Sequence, residues 1–292
     1  MAQNLINQSA WQQRWPAPAK LNLMLRIVGR REGGYHLLQT VFQFVELCDW
    51  LRFNPSDDGE VRLAKLIPGV AEQDDLTVRA AKLLKTHSGC DQGVRIEVEK
   101  NLPMGGGLGG GSSDAATTLV VLNQLWGLGL SKEKLLTMGL SLGADVPVFI
   151  YGHASWGEGV GEKLTKIIVP EQWVVVIKPE CHVETREIFC AKDLTRNSKS
   201  IKMVDFIGGD HKNDCLSVVC NRYPLVKQAL QDLAVFSEAR LTGTGACVFA
   251  QFESYDNAAE AYRKLKSKWA CYLTKTVNES PLFARQEFAL KS

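Results

Sequence analysis

The feature that most constrains this chain is a glycine run in its first half. Six of the seven residues from Gly105 to Gly111 are glycine, and each costs conformational entropy when the chain is ordered. Pro103 stiffens the approach to the run, and an alanine- and leucine-rich stretch that predicts a helix to about Trp126 follows it. Backbone N–H groups in front of a helix are well placed to hold an anion. The run therefore predicts a phosphate-binding loop, with a hinge or linker as the alternative.

Two common phosphate-binding patterns fit this loop poorly. A P-loop has lysine after its last glycine, whereas Gly111 and Ser112 follow Gly110 here. The spacing of Gly105, Gly107 and Gly110 matches a dinucleotide-binding pattern, but proline precedes the run and position 130 is leucine instead of an acidic residue. Neither pattern explains the loop.

Length and composition favour a soluble globular protein of two domains. The chain has 292 residues, of which 45% are apolar and 23% charged, and its net charge is only +2. Such a small charge predicts neither a nucleic-acid partner nor a membrane surface. The first fifteen residues lack the pattern of a signal or transit peptide, and no apolar stretch is long enough for a membrane span. We expect a cytoplasmic protein.

The cysteines predict neither a disulfide framework nor a metal site. None of the eight falls in a C-x-x-C pair, and no cysteine and histidine cluster has the spacing of zinc ligands. We expect reduced cysteines in the core and no protein-bound metal. They lie at positions 48, 90, 181, 190, 215, 220, 247 and 271.

The periodicity of apolar residues predicts a mixture of strands and helices. Leucine and isoleucine alternate with other residues over 21–27, which predicts a half-buried strand with Lys20 and Asn22 on its polar face. The apolar run at 148–151 predicts another strand, after a loop at 143–147. Further strands are predicted at 35–45, 94–98, 173–177, within 240–252 on both sides of a glycine turn, and at 275–277, with helices at 76–85, 131–142, 185–192, 216–233 (broken near Pro224) and 258–269.

One aspartate and one lysine are candidates for acid–base chemistry. Asp145 lies in the sequence Gly-Ala-Asp-Val-Pro, where Pro147 favours an extended Val146 and leaves the carboxylate outside a helix. Transfer of a phosphoryl group to an alcohol requires such a group to receive the hydroxyl proton. Lys20 is a candidate cationic partner. A turn or capping aspartate and an exposed strand lysine are the alternatives.

Three segments of the chain resemble signature segments of a known superfamily. They are Pro18–Asn22, Pro103–Ser113 and Leu241–Cys247, and they resemble those of the GHMP kinases, which include galactokinase, homoserine kinase and mevalonate kinase. Gly34–His36 and Gly143–Phe149 resemble most closely the members that phosphorylate the 2-hydroxyl group of a cytidine-diphosphate-linked methylerythritol, on the non-mevalonate route to isoprenoid precursors. Another kinase of the superfamily, an ATP-dependent decarboxylase and a non-catalytic sensor are the alternatives.

The resemblance implies an α+β, two-domain GHMP kinase fold with the active site in the cleft between the domains. An N-terminal ATP-binding domain like domain 2 of ribosomal protein S5 is expected at 1–170 and a ferredoxin-like C-terminal domain at 171–292. The small-molecule substrates would be ATP, as MgATP, and a cytidine-diphosphate-linked polyol, and the chain would be a monomer or homodimer.

The resemblance also implies the roles of individual residues. Asp145 would be the catalytic base and Lys20 its partner. The residues implied to bind ATP are Lys100, Pro103, Met104, Gly105, Gly106, Gly107, Leu108, Gly109, Gly110, Gly111, Ser112 and Ser113. Those implied to bind the second substrate are Asn22, Tyr35, His36, Thr185 and Phe189. An aromatic face stacks on a cytosine ring, and histidine can donate or accept a hydrogen bond.

Two further segments carry open questions. The superfamily reads Asp-Asn-Leu near the adenine, whereas this chain has Asp74-Asp75-Leu76. A carboxylate cannot donate the hydrogen bond that an amide can, which puts a contact between Asp75 and adenine in doubt. The glycines at 243–246 either bring backbone from the second domain towards the phosphates or form a tight hairpin.

Overall fold

Two long antiparallel strands form the centre of the molecule. The computed structural model describes residues 10–31 and 36–284, and within them β1 (Trp15–Arg30) pairs with β2 (His36–Ser56). Every residue of β1 from Trp15 to Ile27 is buried. The predicted strand is confirmed, but the prediction that it is half-buried is wrong, because other elements cover its polar face as well.

The first half of the chain builds an α/β unit around β2. This strand also pairs with β4 (Gly93–Glu99) and β5 (Ser155–Gly159), while β3 (Val61–Leu63) runs parallel to β4 and β6 (Lys163–Lys166) flanks β5. A large apolar core lies between these strands and four helices. The helices are α1 (Leu76–Ser88), α2 (Gly110–Leu125), α3 (Lys132–Leu142) and α4 (Val146–Tyr151).

Helix α4 replaces the strand predicted at 148–151. Asp145 occupies the N-cap position, Pro147 lies in the first turn, and Gly152 ends the helix with a φ of 80°. These are ordinary signals for the start and end of a helix. The prediction that Val146 is extended is also wrong, because Val146 is the first residue of α4. A short buried apolar run does not by itself distinguish a strand from a helix.

The second half of the chain forms an antiparallel sheet covered by helices. Its strands are β7 (Trp173–Lys178), β8 (Ala239–Leu241), β9 (Val248–Phe252) and β10 (Ala270–Val277), in the order β10-β7-β9-β8. Its helices are α5 (Thr185–Cys190), α6 (Met203–Ile207), α7 (Leu216–Arg222), α8 (Pro224–Ala234) and α9 (Tyr255–Leu265). The predicted helix break near Pro224 is confirmed, because proline starts α8.

The two halves are joined through a shared core. Strand β10 pairs with β2 at Thr276 and Val277, and a cluster of buried side chains takes Leu21 and Met24 from β1 and Val176 and Phe249 from the second sheet. The limits of the two domains at residue 170 stay a prediction. In the described ranges, no helix is long and apolar enough to cross a membrane.

The cysteines are all free thiols. Cys48, Cys215 and Cys247 are buried as predicted, whereas Cys190 is exposed and the prediction of a core position is wrong for it. Burial raises the pKa of Cys215 and of Cys247 to about 12. Among residues 10–31 and 36–284, no group of three or more histidine, cysteine, aspartate or glutamate side chains could hold a metal ion.

Candidate active site

The glycine loop is held from behind through its carbonyl groups. The N–H of Cys247 donates to Gly106 O at 3.0 Å, and the N–H of Lys20 donates to Leu108 O at 3.0 Å. The Lys20 ammonium donates to Gly107 O at 3.1 Å. Because β1 and the second half of the chain bind these carbonyls, the groups that the loop can offer to an anion are its amides.

Glycine is required where the loop meets its neighbours. Gly107 has a φ of 77°, and a Cβ there would lie 2.6 Å from Thr242 O. Gly109 has a φ of 76°, and its Cβ would lie 2.8 Å from Phe149 Cζ. Left-handed backbone and close contact together exclude a larger residue. The loop is thus packed between α4 and the second half of the chain.

A cavity of about 400 Å³ opens in front of this loop. Its wall includes residues 103–112, Lys100 and Asp145. Beyond the glycines, the wall combines polar and charged side chains with an apolar part, and a planar base packs well against the apolar part. The apolar members of the wall include Ile67, Val70 and Leu76. Leu76 belongs to the segment near the adenine noted in the sequence, whereas Ile67 and Val70 carried no sequence signal, since isolated apolar residues in a loop form no pattern.

Lys100 lines the cavity with its charge already paired. Its ammonium lies 2.7 Å from Asp114 Oδ2 and also contacts the carboxylate of Asp49. Asp49 in turn accepts the N–H groups of Asn101 and Leu102 at 2.6 and 2.7 Å. Burial raises the pKa of Asp114 to about 7, although the Lys100 charge opposes the rise. This cluster fixes the start of the loop to α2, and neither aspartate was predicted from the sequence.

The two serines after the loop differ in their surroundings. Ser112 lies in the wall of the cavity in front of the loop. Ser113 is fully buried and is not part of that wall, and its Oγ has no hydrogen-bond partner among the described residues. Contact of Ser113 with ATP stays a prediction that its position does not favour.

Lys20 and Asp145 form an ion pair across the fold. Their Nζ and Oδ2 atoms are 3.3 Å apart, with side-chain exposures of 3% for Lys20 and 40% for Asp145. Lys20 also donates to Asn22 Oδ1 at 2.6 Å. Asp145 occupies the N-cap position of α4 without accepting a capping hydrogen bond. The alternative of an exposed lysine is therefore wrong. Asp145 does lie in the turn that precedes α4, but its side chain does not cap the helix.

A second cavity of about 260 Å³ meets the first at this ion pair. Gly107, Ser112 and Asp145 belong to the walls of both. Three of the residues predicted to bind the second substrate, Asn22, Thr185 and Phe189, line the second cavity. Other members of its wall were not predicted, because they lie in strands, in the turn after β5 or in the third glycine segment without a further signal. They include Thr40, Phe42, Val160 and Thr244.

Hydrogen bonds fix the polar side chains of this second cavity. Asn22 donates from Nδ2 to Thr40 Oγ1 at 2.8 Å, and its backbone N–H donates to Thr242 Oγ1 at 3.0 Å. The hydroxyl groups of Thr185 and Thr244 lie 2.9 Å apart. Gly243 and Thr244 line this cavity and not the larger one. The third glycine segment therefore closes the second cavity and packs against Gly107.

The remaining predicted residues lie beside the second cavity. Tyr35 lies outside the described residues. His36 is not in the cavity wall, but its ring stacks on Phe189, with centroids 4.9 Å apart and an interplanar angle of 29°. Burial, followed by the charges of Arg30 and Arg196, lowers the pKa of His36. Arg196, which donates to His36, carried no sequence signal.

Asp75 lines the larger cavity but is used as a helix cap. Its carboxylate accepts the N–H groups of Thr77 and Val78 at 2.8 and 3.3 Å. The two bonds satisfy orphan donors at the start of α1. The carboxylate oxygen Oδ1 that makes them is thereby committed to the helix. A contact between Asp75 and adenine stays an open question.

Comparison with known proteins identifies the family. Residues 75–153 match the GHMP kinases N terminal domain and residues 191–271 match the GHMP kinases C terminal domain. The chain is 54% identical over 271 residues to the 4-diphosphocytidyl-2-C-methyl-D-erythritol kinase of Methylococcus capsulatus, which covers 92% of this chain and 93% of the relative. The enzyme of that name from Nitrosococcus oceani is 53% identical over 268 residues, covering 92% and 96%.

A solved structure gives the same answer for the fold. The crystal structure of a 4-(cytidine 5'-diphospho)-2C-methyl-D-erythritol kinase superposes with a TM-score of 0.79 and 30% identity, covering 90% of this chain and 99% of that one. The chain belongs to the GHMP kinases. The expected two-domain GHMP kinase fold is confirmed.

Proposed function

We propose that the chain is an ATP-dependent kinase that phosphorylates the 2-hydroxyl group of 4-diphosphocytidyl-2-C-methyl-D-erythritol in the non-mevalonate route to isoprenoid precursors. Relatives of that name match more than nine-tenths of the chain. The observation that carries the proposal is the meeting of two cavities at one carboxylate, Asp145. A phosphoryl donor and an acceptor alcohol must meet at such a junction, because the attacking oxygen, the γ-phosphorus and the leaving oxygen lie roughly in line during the transfer.

The proposed mechanism places ATP in the larger cavity and the acceptor in the smaller. Amides of residues 105–111 and the N-terminus of α2 would hold the phosphates. The acceptor oxygen attacks the γ-phosphorus, the bond from that phosphorus to the β–γ bridging oxygen breaks, and ADP leaves. The hydroxyl proton passes to the Asp145 carboxylate. Lys20, bonded to Asp145 and to Gly107 O, holds the base against the loop.

The base of the acceptor would lie among aromatic side chains. Phe189 lines the acceptor cavity and stacks on His36, and Tyr35 would supply a second face. Stacking on aromatic rings contributes about 1–3 kcal/mol per base. Asn22 and Thr185 remain candidates for the polyol or its phosphates, because both present polar groups to the same cavity.

Magnesium fits this junction as a companion of ATP. The ion prefers oxygen ligands and usually keeps several waters, with one or two protein oxygens and the phosphates. Ser112 supplies a hydroxyl oxygen at the wall shared by the two cavities. It would help to hold the ion, which neutralises phosphate charge when bound.

The wall of the acceptor cavity argues against a decarboxylase of the same fold. That reaction would call for basic groups around a substrate carboxylate. Among the described residues that line this cavity, the only cation is Lys20, which is paired with Asp145. The kinase proposal explains the same wall without a further charge.

A cytoplasmic location and a monomeric or homodimeric state are part of the proposal.

The proposal is tested by measuring ADP release from purified protein, ATP, Mg²⁺ and the cytidine-diphosphate-linked acceptor. We expect Asp145→Asn to lower kcat by about 10²–10⁴-fold, as loss of a general base does, with the Kd for ATP unchanged. Asp57→Asn, at an exposed position just after the end of β2, is the matched control and should behave as wild type.

Two results would count against the proposal. Failure to use this acceptor, together with good turnover of mevalonate or homoserine, would move the chain to another kinase of the superfamily. A near wild-type rate for Asp145→Asn would remove the proposed base while leaving the substrate assignment standing.

A further inference from the structure

Arg196 is anchored by three backbone carbonyl groups. It follows α5, and its Nη2 donates to Phe189 O at 2.9 Å and to Ala191 O at 2.6 Å. Its Nη1 donates to Leu194 O at 3.1 Å. Because a guanidinium is planar and rigid, these three bonds also fix the direction of the Nε–H donor. That donor points at Nε2 of His36, 3.2 Å away.

The contact with Arg196 determines which nitrogen of His36 carries the proton. A guanidinium has donors only, so His36 Nε2 must accept and cannot be protonated. The neutral imidazole then has its proton on Nδ1. The lowered pKa of His36 agrees with a neutral ring. From residues 10–31 and 36–284, Nδ1 receives no hydrogen-bond partner.

The same arginine holds both rings of the stacked pair. It bonds the backbone of Phe189 and the side chain of His36, whose rings lie 4.9 Å apart. Phe189 belongs to the wall of the acceptor cavity. A side chain that joins the end of α5 to the start of β2 in this way fixes the geometry of the aromatic surface beside that cavity.

We propose that Arg196 is a positioning residue for recognition of the base of the acceptor. It holds His36 beside Phe189 as the Nδ1–H tautomer, so that His36 offers a donor at a fixed position. This inference rests on the proposed function. Both bases accept at O2, but only cytosine accepts at N3, where uracil carries a hydrogen. A donor held at N3 therefore favours cytosine over uracil.

The test compares three variants with wild type: Arg196→Met, His36→Ala and the double variant. We expect Arg196→Met to raise the KM of the acceptor about tenfold, as expected for loss of one positioned hydrogen bond, with kcat and the KM of ATP unchanged. In the His36→Ala background, Arg196→Met should raise this KM much less, because the part of its effect that passes through His36 is already lost and only its bond to Phe189 O remains. The preference of the Arg196→Met protein for cytidine- over uridine-linked acceptor should also fall.

A second measurement needs no substrate. Nitrogen NMR of the full-length wild type should show His36 with a protonated Nδ1 and an unprotonated Nε2. Arg196→Met should give a mixture of tautomers, and if that variant does not fold, Arg196→Lys should show a partial change. A wild-type His36 protonated on Nε2 overturns the inference. So does an Arg196→Met protein in which kcat falls, the KM values of both substrates rise and stability falls together. Absence of turnover in wild type would instead refute the proposed function, while the NMR result still decides on Arg196.

Discussion

A methyl group at Gly107 is the smallest change that probes how the loop is packed. This residue has a φ of 77°, and a Cβ would lie 2.6 Å from Thr242 O and 3.0 Å from Gly245 O. Both oxygens belong to backbone, so neither can swing aside as a flexible side chain could. The substitution Gly107→Ala must therefore move either the loop or the third glycine segment.

The expected cost has two parts. Left-handed backbone at a residue with a Cβ costs about 1–2 kcal/mol. Forcing extra volume into a packed region costs about 1–3 kcal/mol more. We therefore expect Gly107→Ala to lower the free energy of unfolding by about 2–5 kcal/mol. A loop displaced by about 1 Å can also lower the rate about 10²-fold, so the kcat/KM for ATP should fall.

Gly127→Ala provides the matched control. Gly127 has a φ of 65°, but a Cβ at this residue would have no neighbouring atom within 4 Å, so only the cost of left-handed backbone of about 1–2 kcal/mol applies. Urea unfolding and ATP kinetics of both variants give the comparison. Equal destabilisation by the two substitutions, with ATP kinetics unaffected in both, would refute the close packing of the loop against the second half.

Two further predictions concern stability. Burial raises the pKa of Asp114 to about 7, so the folded protein keeps a proton that the unfolded chain releases at its ordinary, lower pKa. The free energy of unfolding should therefore fall as pH rises towards 7. Asp114→Asn should remove this part of the dependence of stability on pH. Urea unfolding at pH 5 and pH 8 would show it, and parallel curves for the two proteins would contradict it. Asp75→Ala should cost about 1 kcal/mol through loss of the α1 cap, whereas Asp75→Asn should cost little; equal thermal unfolding of the two variants would argue against the capping role.

The sequence was most informative where the residues of one motif follow each other along the chain. The glycine loop could be recognised because its residues are contiguous, and in the structure Lys20 contacts both the loop and Asp145. On local grounds Lys20 was only a candidate partner of Asp145, and the resemblance was needed to support the pairing, because no local pattern relates residues so distant along the chain. The third glycine segment was identified correctly as a motif, but its place against Gly107 required the fold.

Other features could not be predicted because their signals are weak or spread over the chain. The run at 148–151 is apolar and short, and only Pro147 in the first turn and Gly152 at the end distinguish a helix. Arg196 contacts His36 only because the fold brings these two distant parts of the chain together, and no spacing of residues in the sequence indicates that contact. Asp49 lies within a long strand, where a buried carboxylate is unexpected, and its partners come from a loop far along the chain.

The arrangement of two cavities around one carboxylate is tested most directly by a crystal structure of Asp145→Asn with ATP, Mg²⁺ and the cytidine-diphosphate-linked acceptor. We expect triphosphate against residues 105–111, cytosine beside Phe189, and the acceptor oxygen about 3 Å from both the side chain of residue 145 and the γ-phosphorus. A triphosphate bound away from the glycine loop, or an acceptor hydroxyl remote from residue 145, would contradict this arrangement.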